Sequence, residues 1–508
     1  MPTSAIPSHP VLSIEEARSL ESRLFGADEG REWAAMLRAG RAVAHAALRD
    51  LEEAGGFPAA GRILVLAGKG RNAGDALIAA REILDRFPAA GGEVLFAFGT
   101  RSLGPLAARA WRDLFETCRG RMAEAGAGAL SPAFDLCLDG IFGLQYRPPL
   151  PPQGAAAIAS AQRCAIRLRA AVDLPSGWDE PGAFGADFTY AAGTVKAPLI
   201  GCSHAGRPRY LDLGFFPGGP GGGEGRDAGD RVILPSILGA MAGLRPAASD
   251  KRSQGHLALI GGSSNLPGAV LMATLSALRS GVGLVTAFVP RGLVPAFASR
   301  APEAMWVGLP ETPGGGLALA GLRQAMAGAG RADALAIGPG LGKDPESLSL
   351  AMEIVRASPV PLVIDADALQ PDIIRAGTAP RILTPHEGEF ARVALGADLR
   401  ELCAALPGVV IRKGPVTRVC GGGAVYHSFF GGPVLSRGGS GDLLCGLAGG
   451  LLAQTPGDPL AAACRGAVWH GMAADQLARS RGQAAVRALQ LLDFLGPALR
   501  ESASSPAD

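Results

Sequence analysis

Asp442 closes a glycine-rich run, GGSGDLLCG from Gly438 to Gly446, just ahead of an apolar helical stretch. The bare backbone of such a run lets N–H groups approach an anion, and a helix beginning at Leu443 adds its positive end. A carboxylate there would repel a bound phosphate unless it has another task. A general base fits: Asp442 would take the proton from a hydroxyl as that oxygen meets a phosphoryl group. The plainer reading is an N-cap, which stabilises a helix by roughly 1 kcal/mol.

Other groups of the same half suit the first reading. RKGPVT (412–417) combines Lys413, Gly414 and Thr417 at a strand end, groups that match nucleotide phosphates. GPGLG (338–342) exposes backbone at a second strand end, TPHEGEF (384–390) places His386 and Glu389 beyond a third, and DADAL (365–369) carries Asp365 and Asp367 beyond a fourth. Each alone is a turn. Together at one sheet edge they describe a site.

The first half has its own glycine-and-Asp helix start, GKGRNAGDALIAAR from Gly68 to Arg81. It is neither the dinucleotide GxGxxG nor a P-loop with its Lys-Ser/Thr, but it offers anion-binding amides in the same way. LDGIFGLQYRPP (138–149) adds Asp139 at a strand end, and VDLPSGWD (172–179) adds Asp173 and Ser176. Lys196, in TVKAP, reads equally as a solvated surface lysine or as a group at the site's edge.

These loops need a frame. In the first half RILVLAG (62–68), EVLFAFG (93–99), FDLCLDGIFG (134–143) and LRAAVDLPSG (168–177) read as buried strands alternating with helical DALIAAREILDRF and PLAARAWRDLFETC. Two helices precede them, SIEEARSLESRLFG and REWAAMLRAGRAVAHAALRDLE. In the second half HLALIGG (256–262), GLVTAFVP (283–290), ALAIGPGLG (334–342), PLVIDADAL (361–369), RILTPHEGEF (381–390) and GVVIRKG (408–414) read as strands, with GAVLMATLSALRSG and GDLLCGLAGGLLAQ as helices. Alternation of this kind predicts α/β halves built on parallel sheets, with ligands outside the C-terminal strand ends. Gly- and Pro-rich FFPGGPGGGEGRDAGD marks the boundary, so the domains are expected at 10–216 and 231–500 with a linker at 217–230.

Bulk properties narrow the classes. At 508 residues the chain exceeds one ordinary core. A net charge of +2 with 19% charged residues speaks against nucleic acid and anionic membranes as partners. The eight cysteines form no CxxC pair and the seven histidines no zinc spacing. The N-terminal residues lack a signal-peptide pattern and no run reaches a membrane span, so the expected location is the cytoplasm.

The second half resembles the NAD(P)H-hydrate dehydratases, a branch of the ribokinase-like fold. The resemblance rests on LIGGSSNLPGAVLMATLSALRSGVGLV, PEAM, IGPGLG, VIDADAL, LTPHEGEF, RKGPVT and GGSGDLLCGLAGGLLAQ, in the family's order. It implies a three-layer α/β/α domain. It implies also that Lys413, Gly414, Pro415, Val416, Thr417 and Gly441 contact ADP, the phosphoryl donor, with Mg2+. Ala269, Gly340 and His386 would hold the hydrated nicotinamide nucleotide, and Asp442 would act on its C6 hydroxyl. Hydroxide leaves poorly, whereas a phosphorylated hydroxyl leaves easily and restores the dihydropyridine.

The first half resembles the NAD(P)H-hydrate epimerases over about residues 10–216, with MLRAGRAVA, TVKAP and YLDLGF as further landmarks. A Rossmann-like three-layer sandwich is implied. Asn72, Asp139 and Ser176 would ligand K+; Gly74, Asp75, Asp173 and the loop from Gly143 to Pro149, Arg147 included, would hold the hydrate; Asp139 would run the epimerisation with Asp173 nearby. Four departures stand out: Arg71 for a second Asn, Ala73 and Ala76 for glycines, Gln145 for a glycine. Arg71 is expected to repel the metal or cover the pocket, and Ala73 to strain a turn of positive φ. Two outcomes stay open, an active epimerase and a domain retained for packing.

The reading is thus a bifunctional repair enzyme acting on NADHX and NADPHX and, as related proteins do, assembling as a homo-oligomer. Two rivals remain at this point. One is a ribokinase-type small-molecule kinase with a non-catalytic N-terminal nucleotide-binding domain; the other is a non-catalytic scaffold. The GxGD base is common to the kinases, so Asp442 alone does not separate them.

Overall fold

The computed structural model describes residues 5–216 and 229–504; the expected linker therefore lies outside the described residues except for Gly229 and Asp230, which open a strand. The chain forms two compact units. The N-terminal one takes residues 10–216 with 478–483, the C-terminal one 5–9, 229–477 and 484–504.

The N-terminal unit is built on a seven-stranded sheet. Its strands are β1 (Arg62–Ala67), β2 (Gly91–Phe96), β3 (Met122–Glu124), β4 (Ala133–Gly140), β5 (Ala165–Val172), β6 (Phe188–Ala192) and β7 (Arg207–Leu211). The order is β3-β2-β1-β4-β5-β6-β7, every pairing parallel. The chain leaves β1 in one direction and resumes at β4 on its other side, which makes the β1/β4 boundary a switch point. β1 is buried along its length except Arg62, as a strand covered on both faces must be.

Helices α1 (Ile14–Phe25), α2 (Glu29–Leu51), α3 (Arg71–Arg86), α4 (Pro105–Thr117) and α5 (Pro152–Gln162) complete the unit. α3 turns Leu77, Ile78, Ile83 and Leu84 into the main core beside Ile63 and Val65 of β1. α2 lies close against it because Gly40 has no side chain: a Cβ there would sit 2.5 Å from Ile78 and 2.9 Å from the Asp75 carbonyl. That contact fixes the start of α3, and with it the loop leaving β1.

The C-terminal unit repeats the scheme with β8 (Gly229–Ile233), β9 (His256–Ile260), β10 (Leu284–Pro290), β11 (Met305–Leu309), β12 (Ala334–Ile337), β13 (Leu362–Ile364), β14 (Arg381–Leu383), β15 (Gly408–Arg412), β16 (Thr417–Gly421) and β17 (Ala424–Ser428). The order is β11-β10-β9-β12-β13-β14-β15-β16-β17-β8. β15, β16 and β17 pair antiparallel as a meander; the remaining pairs are parallel. β9/β12 is its switch point.

Three helices place the chemistry here: α6 (Pro267–Arg279), α7 (Glu387–Ala394) and α8 (Ser440–Gln454). α6 and α8 touch along small residues, and a Cβ at Gly446 would fall 1.9 Å from the Ala273 carbonyl. Ser276 Oγ also donates to the Leu443 carbonyl at 2.6 Å. Among the described residues no helix is long and apolar enough to cross a membrane.

Candidate active sites

In the C-terminal unit, α8 begins at Ser440, three residues before the position expected from sequence. The cause is Gly439, whose φ of 96° turns the chain into the helix early. Gly439 is therefore the N-cap, and Asp442 lies within the first turn with no capping bond. Among the described residues its carboxylate has no hydrogen-bond partner. The first intrahelical bond of the turn runs from the Leu443 amide to the Gly439 carbonyl, at 3.0 Å. The amides of Gly441 and Asp442 are left to a ligand.

Lys413 leaves β15 beside this turn. Its ammonium is 3.2 Å from Asp365 Oδ1 and 3.8 Å from Glu389 Oε2, and 3.1 Å from where a Cβ on Gly441 would stand. A cation at a helix N-terminus is electrostatically unfavourable by itself; the two carboxylates offset it, and an anion between ammonium and amides would be held by both. Burial lowers the Lys413 pKa, but Asp365 and Glu389 outweigh it and leave the group raised. Asp442 is pushed up to about 7, first by burial and then by the charge of Asp365, against the pull of Lys413. A carboxylate titrating near neutrality without a protein partner is suited to take a proton.

The expected substrate groups gather at the same edge. Gly340 has φ 67°, and a Cβ on it would lie 2.4 Å from the Leu266 carbonyl and 3.2 Å from Ala269 Cβ, so the loop after β12 meets the start of α6. The Gly342 amide donates to Asp367 Oδ2 at 3.1 Å, tying that loop to the one after β13. The Lys413 amide donates to the Pro385 carbonyl at 2.9 Å, which sets the turn Gly414–Pro415–Val416 and Thr417 beside the segment carrying His386. His386 caps α7: its Nδ1 accepts from the Gly388 and Glu389 amides at 3.0 and 3.3 Å. With Nδ1 accepting, the proton sits on Nε2, which lies 3.5 Å from Glu389 Oε1 on a ring 61% exposed and so within reach of a ligand. Cys445 is fully buried, as a packing thiol would be.

Mg2+ has no ready-made cage. Among the described residues no group of three or more His, Cys, Asp or Glu side chains could hold a metal. The acids here are shared with Lys413, the arrangement expected where Mg2+ arrives with nucleotide phosphates.

In the N-terminal unit the β1/β4 switch point opens into a cavity of about 550 Å³. The loop after β1 (Lys69 to Asn72), the loop after β4 (Ile141 to Tyr146), Asp75, Asp173 and Lys196 line it, with Glu21 and Phe25 supplied by α1. Gly74 lies against Met36 instead: a Cβ there would be 2.5 Å from its sulfur. Arg147 is not among the cavity's lining residues.

Asn72, Asp139 and Ser176 do come together, around the peptide of Phe142. Ser176 donates to both Asp139 oxygens, from its amide at 2.8 Å and its hydroxyl at 2.7 Å, while its own Oγ accepts from the Phe142 amide at 3.0 Å. Asn72 Nδ2 donates to the carbonyls of Phe142 (3.1 Å) and Val172 (2.9 Å). A Cβ on Gly143 would lie 2.2 Å from Asn72 Oδ1, so only glycine admits the carboxamide. Burial pushes Asp139 up to about 6, opposed by donors from Ser176 and Ile141. This oxygen-rich, charge-poor nest suits a large monovalent cation.

Several expectations are corrected here. Asp139 is not among the cavity's lining residues; it is fully buried, and its two oxygens accept from Ser176 and from the Ile141 amide. Asp75 and Asp173 face the cavity instead. Lys196 is no surface lysine: it is 1% exposed and pairs with Asp173, which itself adopts φ 71°. Burial first, then the charges of Asp173 and Glu21, raise Asp75 well above the usual carboxylate range, against Lys196 and Arg71. Arg71 lines the cavity and pairs with Glu21 at 2.7 Å and with Glu32. Ala73 and Ala76 sit inside α3, without a positive φ to strain them.

Sequence reasoning passed over Glu21, Glu32 and Phe25, whose helices lie far ahead of the motifs. No local pattern marked them.

Comparison with known proteins follows the same division. A family model described as NAD(P)H-hydrate dehydratase matches residues 257–496, and one described as YjeF-related protein N-terminus matches residues 33–197. A protein of Moorella thermoacetica called bifunctional NAD(P)H-hydrate repair enzyme Nnr is 35% identical over 475 residues, 86% of this chain and 87% of its own. Its namesake in Gloeobacter violaceus is 35% identical over 517 residues, 96% of this chain and 97% of its own. Among solved structures, an ADP/ATP-dependent NAD(P)H-hydrate dehydratase from Bacillus subtilis co-crystallised with ATP and Mg2+ is 28% identical with a TM-score of 0.46, covering 53% of this chain and 99% of its own.

Proposed function

The chain belongs to the bifunctional NAD(P)H-hydrate repair enzymes, and from that premise we propose how its two sites divide the work. Residues 231–500 dehydrate the S hydrate at the expense of ADP, and residues 10–216 interconvert the R and S forms. Only one epimer serves the second reaction, so the first site keeps the whole hydrate pool within its reach.

In the dehydratase, the amides of Gly441 and Asp442 with Lys413 receive the transferring phosphoryl group. The turn from Gly414 to Thr417 holds the rest of ADP. Ala269, Gly340 and the Nε2–H of His386 hold the hydrate. Asp442 removes the proton of its C6 hydroxyl, and the oxygen takes the terminal phosphoryl group of ADP as AMP leaves. The C6–O bond then breaks to release phosphate while the adjacent ring carbon C5 gives up a proton to solvent, which restores the ring double bond. Mg2+ carried in on the nucleotide would take its ligands mainly from phosphate and water, with Asp365 and Asp367 as the carboxylates at that edge, and would supply charge neutralisation at the phosphates. The observation that carries this reading is the unpartnered carboxylate of Asp442, raised to about 7 beside two bare amides. The test is absorbance of reduced nicotinamide after S-NADHX and ADP are given to the purified protein. No recovery would overturn it.

In the epimerase, Asn72, Asp139 and Ser176 would hold K+, whose positive charge anchors the loops after β4 and β5. Asp75, its carboxyl raised well above the usual range by burial, and Asp173, paired with Lys196, stand as acid and base on the cavity wall, with Gly143 shaping the loop above Asn72. The hydrate carries oxygen and ring nitrogen on one carbon, so inversion needs one of those bonds broken and remade with a proton moved each way. That is work for such a pair. The assay is residues 1–508 on pure R-NADHX with K+ or without; an R form that stays R under both conditions would overturn the epimerase.

The eight free cysteines suit a reducing compartment, and we place the repair in the cytoplasm. Symmetric homo-oligomers are part of the same proposal, to be read by analytical ultracentrifugation.

A further inference from the structure

We propose that α1 is a gate over the N-terminal cavity and that the Glu21–Arg71 ion pair is its latch. The consequence for turnover rests on the epimerase reading; the gate itself does not.

α1 touches the cavity walls by one stripe, Arg18, Glu21 and Phe25, spaced to share a face. Each residue meets a different wall. Arg18 donates to the Leu144 carbonyl in the loop after β4, Glu21 meets Arg71 at 2.7 Å at the head of α3, and Phe25 packs edge-on against Phe215 with ring centroids 5.6 Å apart. Apolar attachment is slight: Ala17 is the only buried residue of the helix. An element held by a few polar contacts, with Ile14, Leu20, Leu24 and Phe25 only half-buried, belongs to the low-stability end of a fold. The Arg18 contact is incomplete too, for its Nε is buried without a partner.

The helix is nevertheless well formed and well rooted. Ser13 and Glu16 build a capping box at its start. Just before it, Val11 and Leu12 pair with Val195 and Lys196, the lysine that holds Asp173. At its end Gly26 takes φ 56°, and Asp28 caps α2 two residues on. Between that root and the glycine corner, a 12-residue helix released from the cavity wall is marginal in water, so its opening loosens its own amides.

Arg71 makes the movement reversible. Its guanidinium serves two carboxylates, Glu21 on α1 and Glu32 on α2. When α1 swings out, Arg71 keeps Glu32, so no buried charge is stranded. An uncharged amide at this position, as the epimerase pattern has, would leave Glu21 without a partner at the rim. Arg71 thus holds the wall of this cavity in place rather than blocking it.

Hydrogen exchange on the full-length protein tests the latch without any turnover. Glu21→Gln and Arg71→Asn should speed exchange of residues 14–25 by roughly fivefold, while β1, β4 and α3 stay unchanged, and Arg71→Lys should restore protection. Unchanged exchange in 14–25 for both variants would overturn the proposal, as would equal acceleration across the unit. With an active epimerase, the loosened variants should lose kcat and recover it with Arg71→Lys. A silent epimerase would sink the catalytic reading and leave the exchange result to judge the gate.

Discussion

Lys413 lies 3.2 Å from Asp365, an ion pair set at the positive end of α8 where a cation has no intrinsic reason to be. The pairing makes sense as a preorganised phosphate site. The charges are in place before the phosphoryl group moves, so little reorganisation accompanies transfer. Burial first, and then the same acids that hold the lysine, keep the Asp442 carboxylate beside them from ionising early.

Lys413→Met should therefore act on two quantities together. Losing the ammonium removes phosphate binding, and dehydration measured as kcat/KM for ADP should fall by roughly 10²–10³-fold. It also removes the one cation that lowers the Asp442 pKa, so residual activity should need a more alkaline pH than wild type. A variant with a normal pH profile would show that Lys413 does not act on Asp442.

Asp442→Asn should abolish dehydration and leave ADP binding largely intact. In the wild type the base must be ionised, so kcat should rise with pH through about 7 and then level. Stability runs the opposite way. The folded pKa lies above the unfolded value, so the folded state holds the proton more tightly; stability is complete below about 4 and declines as pH rises through 7. Asn carries no such penalty. Thermal melts at pH 8 should show the variant more stable by roughly 1–3 kcal/mol, with the gain gone near pH 4.

Strands covered on both faces leave continuous apolar runs, which is why β1, β9, β12 and their neighbours are legible as sequence. The hairpin of β16 and β17 was not, although Gly422 and Gly423, at φ 60° and 83°, are a strong hairpin signal. Its strands bear Arg418 and His427, and their pattern is too mixed to stand out. The C-terminal site was readable because its groups end consecutive strands. The N-terminal site was readable only in its loops. The Lys196–Asp173 pair joins residues 23 apart and Glu21–Arg71 residues 50 apart, and neither has a local signature. Asp139 looked catalytic because its strand-end position is visible, whereas its engagement by Ser176, 37 residues on, is not.

Gly143→Ala should silence the first site while sparing the second. The new methyl would meet Asn72 Oδ1 at 2.2 Å, and Asn72 is held by two carbonyls that leave it no retreat. A displacement of that size at a positioned group typically costs about 10²-fold in rate. Epimerisation of R-NADHX and its response to K+ should both collapse, and dehydration of S-NADHX should continue at the wild-type rate.

Asp75→Asn separates acid chemistry from folding. Burial first, and then the charges of Asp173 and Glu21, raise the Asp75 carboxyl well above the usual carboxylate range and favour its protonated form. An amide of the same shape should leave stability at pH 7 within about 0.5 kcal/mol of wild type. It has no proton of comparable acidity to give, so epimerisation should fall by roughly 10²–10⁴-fold. Because the protonated form is the working one, wild-type epimerase activity should decline as pH rises through the raised pKa, the reverse of the Asp442 profile. Opposite pH limbs from one polypeptide, measured on R-NADHX for one site and on S-NADHX with ADP for the other, would assign each carboxyl its role; parallel limbs would take Asp75 out of the mechanism.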